Sequence, residues 1–283
     1  MKKNKIKDTG LEVTELSFGT SSLGSMPDTY GYEVPEQRAH ETLKRFFQGP
    51  VNMLDTSRNY AMGESEKRIG IAIKENGGWP ENFILSTKID RNMDTLVLDK
   101  KRTRESIEES LKTLNVDSVD ILFLHDPEYV KDVNDITKKD GALDELFKIK
   151  EEGLAKAVGL AMGKINIMFP LLKNWDFDVI INHNRYTLLN READEMYSYA
   201  HSKNISIFNA APYAGGVLAK GPSNFKKITY QDVTEEKLAP AREIEKVCKK
   251  YNVEMGAAAL QFSMKDKRIT STLCGVTSIQ SIE

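Results

Sequence analysis

Four residues of this 283-residue sequence have types that together could carry proton transfer. Asp55 lies in the apolar run VNMLDT, Lys88 ends FILSTK, and His125 ends VDILFLH, while Tyr60 follows Asp55 in the next loop. A buried lysine is costly unless a counter-charge such as Asp55 pairs with it. A cation beside a phenol stabilises the phenolate and lowers the phenol's pKa from its usual value of ~10. These residues therefore predict a site in which Tyr60 gives or takes a proton near neutral pH.

The elements that must position these residues are short β-rich runs. Their ends fall at residues 19, 55, 88, 125, 160, 182, 210 and 274, and the first four spacings are 36, 33, 37 and 35 residues. Such spacings suit the ~30 or more residues of a β-α-β unit. Eight strands alternating with helices predict one closed (β/α)₈ barrel domain over residues 1–283, whose catalytic residues lie at the carboxyl ends of the strands.

An open, doubly wound sheet is the alternative fold, but no G-x-G-x-x-G follows the first strand. Amphipathic segments predict helices, and Thr103 falls in a predicted N-cap region. The long interval from 210 to 274 is predicted to hold a surface loop, 215–237, and two helices. Little sequence remains after the eighth strand for a closing helix, which leaves open whether the C-terminal end is truncated. The predicted helical segments are 36–47, 63–75, 103–114, 142–153, 191–203, 240–252 and 254–266.

The composition argues against several classes of protein. The formal net charge is −2, without the basic cluster of a nucleic-acid-binding protein. No run of ~18 apolar residues could form a membrane span, and no apolar segment follows MKKNKIK to make a signal peptide. Cys248 and Cys274 are best explained as free thiols in a reducing compartment. We therefore expect a cytoplasmic protein that acts on a small molecule, with no nucleic-acid or membrane partner; the oligomeric state is not determined by the sequence.

The catalytic segments resemble those of the aldo-keto reductases. LDTSRNYAMGESEKRIG, FILSTK and DILFLHDPE occur in that family's order, TGLEVTELSFGTSSLG is similar to its first strand, and the resemblance extends to Gln280. It implies a (β/α)₈ barrel with an N-terminal β-hairpin, and hydride exchange between a nicotinamide and a substrate carbon without a metal. By the same resemblance, Tyr60 is the general acid/base, Lys88 tunes it, Asp55 holds Lys88, and His125 orients the substrate oxygen.

The resemblance also implies a cofactor site without a Rossmann motif. Strand-end residues would contact the nicotinamide, the loop after the seventh strand would cover the pyrophosphate, and CGVTSIQSIE would bind the adenosine phosphate. An ordinary strand-to-helix turn is the other explanation of that last segment. The implied contacts are Gly19, Thr20, Asp55, His183, Ala211, Pro212, Tyr213, Gly215, Leu218, Gly275, Thr277, Ser278 and Gln280.

Members of the family that bind NADP usually carry Lys or Arg in the last turn, where a cation pairs with the 2′-phosphate. Val276, Thr277 and Ser278 stand there in this chain, so NAD is favoured, with NADP the alternative if a cation such as Lys220 reaches in.

The sequence departs from the family pattern in three further features. Ala161 and Met162 replace a Ser-Asn pair, His183 or Asn182 replaces a Gln, and Ala210 replaces an aromatic residue that stacks on the nicotinamide. His183 is thus either a cofactor contact or a structural histidine.

The segments NRYTLLN and NAAPYAGGVLAKGP are most similar to those of the sugar and pyridoxal dehydrogenases of the family. This predicts oxidation of an aldose at carbon one to a lactone. The nearest alternative is an NADPH-dependent aldehyde or ketone reductase. More distant alternatives are a barrel hydrolase with a metal on His125, Asp126 and Glu128, which lacks a second strand-end histidine, and a non-catalytic cofactor-binding regulator.

Overall fold

The computed structural model describes residues 1–282 and begins with an N-terminal β-hairpin. Strands β1 (Lys3–Lys5) and β2 (Glu12–Thr14) pair antiparallel. Ile6 and Val13 are fully buried in one cluster with side chains that line the barrel interior. The backbone N–H of Thr14 donates to Oδ1 of Asn52, just before the second barrel strand, at 2.8 Å. The predicted hairpin is confirmed, and it closes the amino-terminal end of the barrel.

Eight parallel strands form a closed barrel, which confirms the predicted fold class. Each barrel strand pairs with the next barrel strand along the chain, and the eighth barrel strand pairs with the first. The barrel strands are β3 (Leu16–Gly19), β4 (Met53–Asp55), β5 (Ile84–Ile89), β6 (Val119–His125), β7 (Ala155–Met162), β8 (Val179–His183), β9 (Ser206–Ala210) and, after a small hairpin of β10 (Lys227–Ile228) and β11 (Gln231–Asp232), β12 (Ser271–Gly275).

The strands read as continuous apolar runs because both of their faces are buried. In β6, Ile121 and Phe123 belong to the interior cluster, while Leu122 and Leu124 pack among the helices. Side chains alternate between the two faces with period two, so His125 follows Phe123 on the interior side. The same alternation places Asp55 and Lys88 on the interior side at the carboxyl rim.

Helices surround the barrel. In α2 the buried positions Ala39, Thr42, Leu43 and Phe46 recur at helical spacing. The helices are α1 (Pro27–Tyr30), α2 (Glu36–Phe47), α3 (Glu64–Glu75), α4 (Lys100–Leu114), α5 (Asn134–Thr137), α6 (Ala142–Glu151), α7 (Ile165–Asn174), α8 (Asp194–Ser202), α9 (Val217–Lys220), α10 (Glu235–Lys250) and α11 (Met255–Met264). None of the helices among the described residues is both long and apolar enough to cross a membrane.

The helix boundaries correct two of the predictions. The N-cap of α4 is Asp99, whose side chain accepts the backbone N–H of Arg102 at 2.8 Å, so the prediction at Thr103 is wrong. Thr103 is instead fully buried in the first turn. Helix α10 begins at Glu235 and carries Pro240 inside it, so the predicted loop 215–237 is shorter and holds α9 and the small hairpin.

Candidate active site

Asp55 and Lys88 form a buried ion pair at the carboxyl rim. Nζ of Lys88 lies 2.6 Å from Oδ2 of Asp55, and each side chain is only 2% exposed. Lys88 Nζ also donates to the backbone carbonyl of Thr56 at 2.6 Å, and Ser86 Oγ donates to the second oxygen of Asp55 at 2.7 Å. A buried pair persists only when its remaining hydrogen-bonding positions are satisfied, and these contacts meet that need.

Tyr60 is brought over this pair by a tight turn. It begins a 3₁₀ turn, Tyr60–Gly63, in which Ala61 and Met62 have φ values of 50° and 55°. Gly63 has φ 94°, a left-handed backbone conformation that favours glycine because other residues are strained there. The turn leaves Lys88 Nζ 4.6 Å from the centre of the Tyr60 ring.

The pKa of Tyr60 differs from the sequence prediction. Burial raises it well above the ordinary value, and the negative charge of Asp55 raises it further. The expected lowering by Lys88 does not follow, because the ammonium is already paired with Asp55 and lies over the ring. The hydroxyl of Tyr60 is therefore protonated at neutral pH, as a proton donor must be.

His125 faces Tyr60 across the mouth of the barrel. The two rings pack edge to face with centroids 5.8 Å apart. Nδ1 of His125 lies 2.6 Å from Oδ1 of Asp90, and Nε2 lies 3.7 Å from a carboxylate oxygen of Asp126. Burial acts to lower the pKa of His125, but the two carboxylates outweigh it and raise the pKa. The structure thus brings Asp55, Tyr60, Lys88 and His125 together at one rim.

Asp90 and Ser57 are site residues that the sequence prediction missed. Ser57 Oγ donates to Oδ2 of Asp90 at 2.5 Å and lies 3.2 Å from Nδ1 of His125. Asp90 is 1% exposed. A signal was present, because Asp90 follows Lys88 by two positions and period two places both on the same face.

Gly19, a predicted nicotinamide contact, lies beside Gly275, which begins the predicted adenosine-phosphate turn. Gly19 pairs in register with Gly275 and with Asp55. A Cβ added at Gly275 would meet nothing within 4 Å, so open space lies above this pair at the rim. Thr20 is fully buried, and its Oγ1 donates to the backbone carbonyl of Asp55 at 2.9 Å. This side chain therefore holds the backbone of Asp55 in place.

The structure distinguishes His183 from Asn182. Asn182 points toward the helices, where its Nδ2 donates to the carbonyl of Met162 at 2.8 Å. His183 is partly exposed on the interior side, and its Nε2 lies 3.8 Å from Oδ1 of Asp126. Of the two candidates, only His183 therefore reaches the mouth.

The loop after β9, predicted to cover the pyrophosphate, has a tightly turned backbone. Ala211 and Gly215 have φ values of 54° and 78°, and Pro212 lies between them. A Cβ at Gly215 would lie 2.7 Å from the backbone nitrogen of Tyr230, so the segment 227–232 crosses closely over it. Tyr213 packs against the small cluster that also contains Leu218, whose side chain is fully buried, which leaves only the backbone of Leu218 for a cofactor contact.

The segment predicted to bind the adenosine phosphate forms a short turn that is closed by its own hydrogen bonds. Ser278 and Ser281 make a capping box, and the N–H of Thr277 donates to Oγ of Ser281 at 3.0 Å. A cleft of about 360 Å³ lies between this turn and the start of α2, lined by Pro35, Gln37, Arg38, Glu41, Ser278, Ile279 and Gln280. Arg38 is a cation that the sequence prediction did not consider here. Lys220, which was considered, lies 4.4 Å from the centre of the Phe225 ring.

The side chains of the alternative metal site are not arranged around a common point. Among residues 1–282, no group of three or more His, Cys, Asp and Glu side chains is arranged to hold a metal ion. His125, Asp126 and Glu128 therefore do not form a metal site.

The sequence model of the aldo/keto reductase family matches residues 15–283. The chain belongs to the aldo/keto reductase family. It is accordingly an oxidoreductase that uses a nicotinamide cofactor. Gly275 leaves open space at the rim beside Gly19. When bound, the nicotinamide takes or gives the hydride.

Relatives of this aldo/keto reductase include two sugar dehydrogenases. It is 30% identical to L-galactose dehydrogenase from Arabidopsis thaliana, over 98% of this chain and 84% of that protein. It is 26% identical to a D-threo-aldose 1-dehydrogenase from a Pseudomonas species, over 94% and 86% of the two chains. Pyridoxal 4-dehydrogenase from Microbacterium luteolum is 24% identical, over 99% and 90%.

Solved structures share the fold. The holo form of an aldo-keto reductase from Bacillus halodurans has a TM-score of 0.77 at 22% identity, over all of this chain and 88% of that one. A glycerol dehydrogenase from Gluconobacter oxydans has a TM-score of 0.75 at 20% identity, over 99% and 88%.

Proposed function

We propose that this aldo/keto reductase is an NAD-dependent aldose 1-dehydrogenase that oxidises a cyclic sugar to its lactone. The observation that carries the proposal is the meeting of the Lys88–Asp55 ion pair, Tyr60 and His125 at one rim. In this proposal Tyr60 exchanges a proton with the substrate oxygen, and His125 orients that oxygen. The ion pair of Lys88 and Asp55 lies against the Tyr60 ring and sets its electrostatic environment.

The choice of a sugar is supported by the names of two relatives and by acceptor groups at the mouth. Asp126 and Glu128 follow His125 and are partly buried. A substrate with several hydroxyl groups would supply donors to the exposed parts of these two side chains, because an ionised carboxylate only accepts hydrogen bonds.

The choice of NAD is supported by the absence of a cation at residues 276–278, where the family's NADP-binding members carry one. Arg38 is the observation that favours the second candidate, an NADPH-dependent aldehyde or ketone reductase. It lines the cleft beside Ser278 and could pair with a 2′-phosphate. Glu41, on the same cleft, would repel that phosphate.

Equilibrium titration of the protein with NADH and with NADPH, followed by fluorescence, tests the cofactor. We expect NADH to bind at least about tenfold more tightly, which corresponds to ~1.4 kcal/mol. Tighter binding of NADPH would favour the reductase.

A kinetic screen of aldoses with NAD⁺ and NADP⁺, beside a screen of aldehydes with NADH and NADPH, tests the substrate. We expect turnover of aldoses of the galactose and threo series with NAD⁺, and release of a lactone. No turnover of any aldose, together with efficient reduction of aldehydes by NADPH, would refute the sugar dehydrogenase and establish the second candidate.

A further inference from the structure

A cavity of about 550 Å³ lies at the amino-terminal end of the barrel, opposite the rim that carries Tyr60. Its walls are the N-terminal hairpin, residues 204–206 at the start of β9, and the segment 264–270 between α11 and β12. The barrel strands that border it begin there, whereas the candidate active site lies where the strands end. The cavity has the size of a small-molecule site, for which volumes of about 300–1,000 Å³ are usual.

Two hydrogen bonds hold the walls of this cavity in place. Nδ2 of Asn4, in β1, donates to the backbone carbonyl of Thr270, just before β12, at 2.8 Å. The backbone N–H of Lys7, just after the first hairpin strand, donates to Oγ of Ser206 at 3.0 Å. The hairpin is thus tied to both β9 and β12, and these two strands pair with each other. The cavity is therefore already formed without a ligand, as most ligand sites are.

Four lysines line the cavity. Lys2 and Lys5 come from the hairpin, and Lys265 and Lys267 come from the turn that follows α11. All four are exposed, and within residues 1–282 none of them forms an ion pair. A concave surface lined by charges of one sign raises the local concentration of ions of the other sign. The lining therefore favours an anion.

The acidic residues of the lining offset little of this charge. Asp266 accepts Nη2 of Arg268 at 2.6 Å and the hydroxyl of Tyr186 at 2.5 Å. Asp266 and Arg268 therefore neutralise each other, and Glu15 is the one other acid among the lining residues. Four lysines against this one acid leave the lining with a formal charge of +3.

Three other lysines at the same end of the barrel are paired with aspartates. Each of these ammonium groups lies within 2.8 Å of a carboxylate oxygen, so pairing is available to lysines at this end where an acid is placed beside them. The lysines of the cavity have no such acid. The three pairs are Lys7–Asp176, Lys150–Asp178 and Lys156–Asp120.

The charge and the residue types of the lining indicate the class of ligand. A phosphate group carries about −1.5 to −2 near neutral pH, so two phosphate groups match the charge of this lining. A lysine ammonium binds phosphate as a point charge with three donors. None of the lining residues is Phe, Tyr or Trp, so the cavity has no aromatic ring on which a nucleobase could stack.

We propose that this cavity is a binding site for a small anion that carries a diphosphate group, which the four lysines neutralise. The site lies at the end of the barrel opposite Asp55, Tyr60, Lys88 and His125, and it uses none of them. It therefore stands or fails independently of the proposed function.

Calorimetric titration with inorganic pyrophosphate tests the site. The protein is first saturated with its reduced nicotinamide cofactor, so that the diphosphate of the cofactor already fills its own cleft. Physiological ionic strength screens the attraction between distant exposed charges. We expect pyrophosphate to bind at least about tenfold more tightly than inorganic phosphate. ADP, which distinguishes a nucleotide from inorganic diphosphate, should bind no more tightly than pyrophosphate.

Two double variants remove the lysines of one wall at a time. Lys265→Gln/Lys267→Gln and Lys2→Gln/Lys5→Gln should each weaken pyrophosphate binding about tenfold, because each removes two of the four charges. All four positions are exposed, so we expect both variants to fold, which circular dichroism checks. The affinity for the cofactor should change by less than about twofold, because the cofactor cleft lies at the other end of the barrel.

Lys74→Gln/Lys112→Gln is the matched control. It removes the same charge at exposed lysines in the last turns of α3 and α4, which also lie at the amino-terminal end of the barrel. It should change pyrophosphate binding by less than about twofold. An equal loss in this control would show attraction to the whole protein rather than a site, and would overturn the proposal.

Three further results would also overturn it. The first is a cofactor-saturated wild type that binds no pyrophosphate, which would place any anion binding in the cofactor cleft. The second is pyrophosphate binding that both wall variants leave unchanged. The third is ADP binding more than about tenfold tighter than pyrophosphate, which would mean that the base and not the diphosphate is recognised.

Discussion

The ammonium group of Lys88 lies 2.6 Å from the carboxylate of Asp55, and both side chains are almost fully removed from water. Desolvating two charges costs several kcal/mol each, and mutual attraction recovers this only when the geometry is good and the remaining hydrogen bonds are made. Ser86 and the carbonyl of Thr56 make those bonds here. The two charges can therefore be buried together, whereas either charge buried alone would destabilise the folded protein.

Asp55→Asn should lower the free energy of unfolding by about 3–5 kcal/mol, because it leaves the Lys88 charge buried without a partner. Urea unfolding followed by circular dichroism measures the loss. Asp176→Asn is the control, since Asp176 pairs with Lys7 but is 89% exposed, and its loss should stay under about 1 kcal/mol. Equal losses in the two variants would show that the buried pair carries no special stability.

Tyr60→Phe should lower kcat about 1,000-fold, because general acid–base catalysis contributes roughly 10²–10⁴ and no other hydroxyl replaces the phenol. Binding of the cofactor, measured by fluorescence, should change by less than about twofold. Lys88→Met should be comparably severe. Tyr251→Phe, at a tyrosine exposed after α10, should leave turnover unchanged. A Tyr60→Phe enzyme with near-normal kcat would remove Tyr60 from the catalytic role.

Glu66→Gln should stabilise the protein at pH 8 and leave its stability at pH 4 unchanged. Glu66 is fully buried and accepts from Thr87 Oγ1 at 2.6 Å, and burial raises its pKa from 4.5 to about 7. Between those values only the unfolded chain ionises, so wild-type stability falls as pH rises from 4.5 to about 7 and the penalty is complete above that. The neutral amide removes a penalty of about 1–3 kcal/mol.

Urea unfolding at the two pH values checks this expectation for Glu66. Glu243→Gln, at an exposed position of α10, should show no such pH-dependent gain. A Glu66→Gln variant that is equally destabilised at both pH values would show that ionisation of Glu66 carries no stability penalty and that contacts of its carboxyl group stabilise the fold in both protonation states.

Arg38→Ala should weaken NADPH binding about tenfold and change NADH binding by less than about twofold. The guanidinium lines the cleft at Ser278 and Gln280, where only a 2′-phosphate would add a charge for it to pair with. Fluorescence titration with each cofactor gives both dissociation constants. Arg242→Ala, on the far helix α10, is the control. An equal weakening of both cofactors by Arg38→Ala would place Arg38 against a group that the two share.

The prediction of the fold succeeded where the signal was local. The predicted strand ends at 19, 55, 125 and 210 coincide with observed strand ends, and α2 spans the predicted 36–47. Helix α7 was missed because INIMFPLLKN carries only three polar residues and holds Pro170, which argues against a helix in a sequence pattern. The N-cap of α4 was misplaced because Asp99 and Thr103 are both plausible caps, and only backbone geometry separates them.

The sequence by itself determined the barrel and the rim that holds Asp55, Tyr60, Lys88 and His125, since alternation with period two and the ends of apolar runs can be read over a few neighbouring residues. Only the tertiary structure decided that Asp90 backs His125, that Arg38 lies beside the last turn, and that Tyr60 keeps its proton. Those properties depend on distances between residues far apart in the chain and on how deeply each charge is buried, and neither quantity is encoded in a local pattern.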